Sequence, residues 1–337
     1  MSRRVGRALA LVLAGGLALS AGGAALAAPV GALKQFKVPT ANGSPEHITQ
    51  ASDGSFWFTE SSITNQNASP HKVGRITPTG QITEFTVCDF CFPTDIVQGS
   101  DGLMYFTKND ATLGRITTSG QVLSDIPAVF SPNGNGMAAH GNEIWVTDFN
   151  NDVLWRYDIP TDTFTRFETD APGENTDPLD VTVAPDGTVW FVEGDGRIGR
   201  LDPSMADDPA TPQHENITQI DVDGFPREIS VASDGVIWFT EQFPPSAVGR
   251  INPTTNAVVA LTPTDGQPLG IAPAADGSMW VTRFNAGDII RISPNGVVTA
   301  QSKAVKGSGP SGIVVPADGN PWFTMLESNK IANFQLR

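Results

Sequence analysis

Seven short runs of this chain repeat closely and then end on residues that differ. The runs are Trp57-Phe-Thr-Glu60, Tyr105-Phe-Thr-Lys108, Trp145-Val-Thr-Asp148, Trp190-Phe-Val-Glu193, Trp238-Phe-Thr-Glu241, Trp280-Val-Thr-Arg283 and Trp322-Phe-Thr-Met325. Four carboxylates at one repeat position, joined by Lys108 and Arg283, would line the mouth of a closed array. Oxygen ligands of this kind suit a hard divalent cation such as Mg, with Glu60, Glu193 and Glu241 as the candidate set. The competing reading is a ring of salt bridges inherited with the repeat. Glu46-His47 is the acid–histidine pair that stands beside a repeat proline, and it offers a general base. His71, His140 and His214 fall in turns or in the Pro/Asp-rich stretch 202–216, without metal-ligand spacing. The sequence contains no GxSxG, HExxH or phosphate loop, so hydrolase chemistry of those kinds has no support.

The elements that must position these residues follow from the rest of the repeat. Each aromatic run is preceded by Asp-Gly (Gly141-Asn142 in the third copy). In six copies a proline stands eight residues before the Asp: Pro45, Pro93, Pro178, Pro226, Pro268 and Pro310, with Pro132 leading the third copy. The apolar stretch after the proline reads as a first strand, Asp-Gly as a tight turn, and the aromatic run as a second strand. Gly-Arg-Ile/Leu at 74–76, 114–116, 199–201 and 249–251 opens a third strand, and a further turn leads to a fourth. Four antiparallel strands per 40–48 residues describe a propeller blade. The fold class is therefore all-β: one seven-bladed β-propeller over residues 28–337. Its blades span about 44–87, 92–128, 131–169, 176–221, 225–262, 267–303 and 309–336. The last copy runs out of chain before a fourth strand. Gly31-Ala-Leu-Lys-Gln-Phe-Lys-Val38 matches Gly80-Gln-Ile-Thr-Glu-Phe-Thr-Val87, so residues 31–39 are expected to complete the last blade and close the ring. The repeated tryptophans, with Tyr105 in one copy, read as the layer between blades.

Residues 1–27 read as a signal peptide: Arg3, Arg4 and Arg7, then a small-apolar stretch, then Ala25-Leu26-Ala27 as the cleavage pattern. Gly6 and the lack of an apolar pair after it favour a Sec signal over a twin-arginine one. The expected location is extracellular, with no membrane insertion after cleavage. Losing those three arginines takes the formal charge from −15 to about −18. That surface repels nucleic acid, and its expected partner is a small molecule or protein at a propeller face, with the chain itself a monomer. Cys88-Asp-Phe-Cys91 has CxxC spacing on a connection between blades. In an exported chain a local disulfide is expected there, and zinc would need further ligands nearby.

Trp57-Phe-Thr-Glu60, Lys72-Val-Gly-Arg-Ile-Thr77 and Gly80-Gln-Ile-Thr-Glu-Phe85 resemble one blade of the virginiamycin B lyase (streptogramin lyase) family, and the resemblance runs over the whole mature chain. It implies a seven-bladed propeller and a Mg-dependent elimination that opens a cyclic depsipeptide at its ester. The family's catalytic apparatus maps to the last two blades. There the histidine after the blade-leading proline is Leu269, and Glu-Pro-His is Gly309-Pro310-Ser311. Glu327 matches the remaining glutamate with a one-residue insertion. Elimination needs a base beside the carbonyl and a cation for the developing charge; Leu269, Gly309 and Ser311 supply neither. The reading is a binding or scaffold propeller. The alternative is a divergent Mg-dependent C–O lyase acting on a cyclic ester or related small molecule, with Glu327 and His47 as its catalytic residues.

Overall fold

The computed structural model describes residues 31–61, 70–128, 134–169, 175–205, 216–222 and 224–336. The expected signal peptide, His214, and most of the loops at 61–71 and 202–216 lie outside the described residues. The described strands form seven four-stranded antiparallel sheets and no helix. The first blade, Pro45–Gln50, Phe56–Glu60, His71–Ile76 and Ile82–Cys88, sets the pattern from axis to rim. The seventh takes Pro310–Val314, Trp322–Met325 and Lys330–Leu336, and its outer strand is Gly31–Lys37, paired over its whole length with Lys330–Leu336.

Each feature of the repeat has a physical task. In the hairpin turn Gly54 has φ 83°, which a side chain would resist, and its N–H donates to Ala51 O at 2.9 Å. The Asp53 carboxylate fixes the same turn by accepting from Ser55 N at 2.9 Å. The tryptophans bridge blades: Trp57 packs with Ile96, Met104 and Phe106 of the second blade, and Trp322 with Ile48, Phe56 and Phe58 of the first. Each such ring buries about 150–250 Å². The arginine of Gly-Arg-Ile stands across the strand from the tryptophan and covers it, with Arg250 5.1 Å and Arg200 5.7 Å above the rings of Trp238 and Trp190. The glycine of that triplet faces the ring of the neighbouring phenylalanine: a Cβ at Gly199 would lie 2.0 Å from Phe191.

The threonine of Trp-Phe-Thr ties the ring together. Thr59 Oγ1 accepts from His47 N at 3.1 Å in its own blade and donates to Thr94 O of the next at 3.0 Å. Thr240 and Thr282 do the same towards Leu269 O and Ser311 O, and Thr324 donates to Glu46 O at 2.6 Å, joining the last blade to the first. These hydroxyls replace a ladder bond, because the innermost strands carry a bulge after the proline, as between Pro45 and Ile48 or Pro226 and Ile229. A bulge re-aims the side chains on it. Here it delivers the second residue after each proline to the axis.

Candidate functional site

The column two residues after the blade-leading proline reads His47, Asp95, Asp180, Glu228, Gly270 and Gly312. Gly136 occupies the equivalent place in the third blade, its N–H donating to Thr147 Oγ1 as His47 N does to Thr59. The glycines stand where the neighbouring inner strand approaches: a Cβ at Gly312 would meet Glu46 O at 2.6 Å and His47 Cα at 2.8 Å. The other four place one imidazole and three carboxyls around the axis. His47 Nδ1 lies 3.3 Å from Asp95 Oδ1. Each acid also accepts a backbone N–H from the adjoining blade: Met137 N reaches Asp95 Oδ2 at 2.7 Å, Ile229 N reaches Asp180 Oδ2 at 2.9 Å, and Ile271 N reaches Glu228. A cavity of about 30 Å³ remains between them, lined by Glu46, His47, Asp180, Arg227 and Glu228 among others. That volume admits roughly one small atom group or a water.

The electrostatics follow from packing acids together out of water. Burial opposes the charge on His47, but Asp95, Glu228, Glu46 and Asp180 outweigh it and raise the imidazole to about 9. Burial, with the Glu228 and Asp95 charges, pushes Asp180 up to about 8 against the Ile229 N–H. Burial likewise raises Asp95, and raises Glu228 despite the nearby His47 and Arg227. Near neutral pH the cluster therefore holds a protonated imidazole and shared protons. It can donate hydrogen bonds and attract a cation, while His47 has no free lone pair to act as a base.

The residues expected at the mouth sit at equivalent positions, with Glu60, Glu193, Glu241 and Arg283 each opposite their blade's proline. All six of Glu60, Lys108, Asp148, Glu193, Glu241 and Arg283 are buried. Lys108 binds Asp125 at 2.6 Å and Asp110 at 3.2 Å; Asp148 accepts from Trp155 Nε1 at 3.1 Å; Glu193 pairs with Arg197 at 3.2 Å; Arg283 takes Asp288 through two contacts of 2.8 Å. Glu60, Glu193 and Glu241 are not gathered into one ligand set. Among the described residues the trio of metal-ligating side chains within 4.8 Å of one another is His71, Cys88 and Cys91. Cys88 and Cys91 bring their sulfurs together with Cα atoms 5.9 Å apart, and buried His71 Nδ1 accepts from Cys91 N and Phe92 N, both at 3.0 Å. A histidine thus does lie beside the cysteines. It is delivered across the sheet by the pairing of His71 with Cys88 rather than by sequence proximity. Glu327 is exposed on the turn after Trp322–Met325, beside Gly309, and does not line the axial cavity.

Both carboxyl oxygens of Glu60 are buried without an N–H donor among the described residues, and the group they face is the Glu84 carboxyl. Burial and that carboxyl raise Glu60 to about 8, against the pull of Lys72. Unfolded, Glu60 loses its proton near 4.5 and Asp180 near 3.8, whereas the folded chain keeps both to about 8. His47 behaves alike between 6.5 and about 9. Over these windows the folded state binds more protons, so each group's stabilisation is complete at the acid end and lost as pH rises, at ~1.4 kcal/mol per pH unit at most. The melting temperature is expected to fall from about pH 5 to about pH 9, and Glu60→Gln should flatten that fall by raising the melt at the alkaline end. Thermal melts across this range check it; a wild-type melt that climbs with pH contradicts it.

A profile of the Virginiamycin B lyase family matches residues 24–206 and 164–337. No curated protein matches the chain in sequence. Among solved structures, a streptogramin B lyase superposes with TM-score 0.77 at 24% identity, over 91% of this chain and 98% of its own. Virginiamycin B lyase from Staphylococcus aureus gives TM-score 0.77 at 25% identity over 91% of this chain and 99% of its own. A catalytically inactive histidine-to-alanine variant of that enzyme with quinupristin gives 0.76 at 25% identity, again over 91% and 99%. The two overlapping profile matches span the whole propeller, and this chain belongs to the virginiamycin B lyase family.

Proposed function

We propose that this family member is a secreted binding propeller that takes a small, amine-bearing molecule at its axial His–carboxyl cluster and does not open cyclic depsipeptides by elimination. The observation that carries the reading is the content of the positions to which the resemblance assigns catalysis. Leu269 and Ser311 are buried, at 9% and 3% exposed, and Gly309 has no side chain. These residues do not fit a Mg ion: Glu327 would be the lone carboxylate, with no basic partner. In virginiamycin B lyase, replacing one histidine by alanine leaves a catalytically inactive protein; here neither blade-leading Pro-His position carries a histidine. The remaining imidazole on the axis, His47, is held as a cation by its acids. With Glu46, Asp95, Asp180 and Glu228 around it and Arg227 as the other cation, the funnel favours positive ligands. The leader is taken as a Sec signal, the propeller as a monomer without nucleic-acid partners, and Cys88–Cys91 as a disulfide pinning the loop that His71 supports.

Incubation with a type B streptogramin and Mg should give no ring opening above a protein-free control. Turnover that His47→Ala or Glu327→Gln abolishes would establish the lyase reading instead. Thermal-shift titration with a panel of primary amines, whose ammonium group alone matches the small cavity, tests the binding half: a raised melt lost in Asp180→Asn supports it, and no shift with any amine removes it.

A further inference from the structure

Between the loops that join the strands of the fifth and sixth blades lies a groove of about 550 Å³, separate from the axial cavity. Its volume falls within the roughly 300–1,000 Å³ of small-molecule sites. One wall is apolar: Phe243, 49% exposed, followed by Pro244 and Pro245, with Pro263 opposite. Phe225 meets Phe243 edge-on at 5.9 Å and holds that ring on the surface. The rest of the lining is polar, from Gln242, Asp265, Gln267 and Asn285. Thr264 also lines the groove; it is 6% exposed, and its buried hydroxyl has no hydrogen-bond partner in the protein. A buried hydroxyl left unpaired costs about 1–3 kcal/mol. It is satisfied when a bound molecule or its attendant water reaches it.

The chemistry of the lining selects the ligand. No lysine or arginine lines the groove, so nothing there neutralises a phosphate or a sulfate. A quaternary amine would use the ring and Asp265 but leave three primary amides and a hydroxyl unanswered. A molecule with one apolar C–H face and a fringe of hydroxyls uses both halves. We propose that this groove is a binding site for a neutral carbohydrate, one sugar ring stacked on Phe243 and its hydroxyls taken by Gln242, Asp265, Gln267 and Asn285. Amide side chains both donate and accept, and a carboxylate accepts from two adjacent hydroxyls, which gives the site directional choice among sugars.

The test is a glycan array of neutral and acidic oligosaccharides probed with the full propeller, followed by calorimetry with each retained saccharide. Neutral saccharides are expected to be retained. Phe243→Ala should weaken them by up to about tenfold with an unchanged melt, because the ring is half exposed. Thr264→Val, nearly isosteric, should weaken them a few-fold, and Phe90→Ala, which removes a still more exposed ring elsewhere, should change nothing. Retention of no saccharide, retention of acidic ones alone, or equal affinity in Phe243→Ala overturns the proposal. So does calorimetric binding of choline chloride in place of any sugar.

Discussion

Removing residues 31–40 is expected to lower the melting temperature by roughly 10–20 °C, more than any point substitution in the chain. The seven pairs between Gly31–Lys37 and Lys330–Leu336 are the link that turns an open arc of blades into a ring. Phe36 stacks on Trp322 at 5.5 Å, Leu33 packs into the cluster around Phe334, and Val38 is fully buried. Asn329 locks the exit of the strand, its side-chain Nδ2 donating to Thr40 O at 2.7 Å while its backbone carbonyl accepts from Val38 N at 3.1 Å. Burying three such side chains contributes about 5–8 kcal/mol, against a total stability of about 5–15 kcal/mol for a domain. Deletion also leaves Lys330–Leu336 as an unpaired edge, so edge-to-edge association should accompany the lower melt. A synthetic peptide of residues 31–40 added in trans should restore part of both. Melts of the deleted chain within about 2 °C of the full one would mean that the ring holds without its closure.

That closure was readable in one dimension because the match of residues 31–38 to 80–87 is a match of like with like. The same holds for the Asp-Gly turns and the tryptophan layer. Repetition exposes what every blade needs, and those needs are backbone conformation and burial. The axial site followed the opposite logic. Its column holds His47, Asp95, Gly136, Asp180, Glu228, Gly270 and Gly312, so no one residue type marks it, and it lies on a bulge where strict alternation no longer tells inside from outside. Aligning the copies on their prolines and reading the column for difference would have found Asp95, Asp180 and Glu228; of that group the sequence reading reached only His47. The mouth positions show the converse limit. The positions of Glu60, Lys108 and Asp148 were legible, but their surroundings were not. Glu84 and Trp155 come from a fourth and a third strand, and Asp125 from the segment just before the short outer strand Ile126–Pro127, elements whose lengths vary between copies.

Gly199→Ile alone should destabilise the propeller by about 3 kcal/mol or more, and Phe191→Val in the same chain should return most of it. Gly199 lies across from Phe191, and a Cβ there would enter the ring at 2.0 Å, so the substitution forces the ring from a fully packed site. Phe191→Val alone leaves a void and should cost roughly 1–3 kcal/mol. The double variant fills that void from the other strand. The chain has already made this exchange in two other blades. Val146 stands opposite Trp155, and Val281 opposite Ile290, where the first, second, fourth and fifth blades set Phe58, Phe106, Phe191 and Phe239 against Gly74, Gly114, Gly199 and Gly249. The seventh blade is intermediate, with Phe323 against Ala332. Urea unfolding of the two single variants and the double measures the coupling directly, and ~2 kcal/mol in the compensating direction is expected. Additive losses would show that glycine is required at this position for its backbone, and would leave the pairs at Val146 and Val281 without a packing cause. Compensation would show that the Gly of Gly-Arg-Ile records the size of its neighbour. Volume across two adjacent strands, rather than the identity of either residue, is then what each blade preserves.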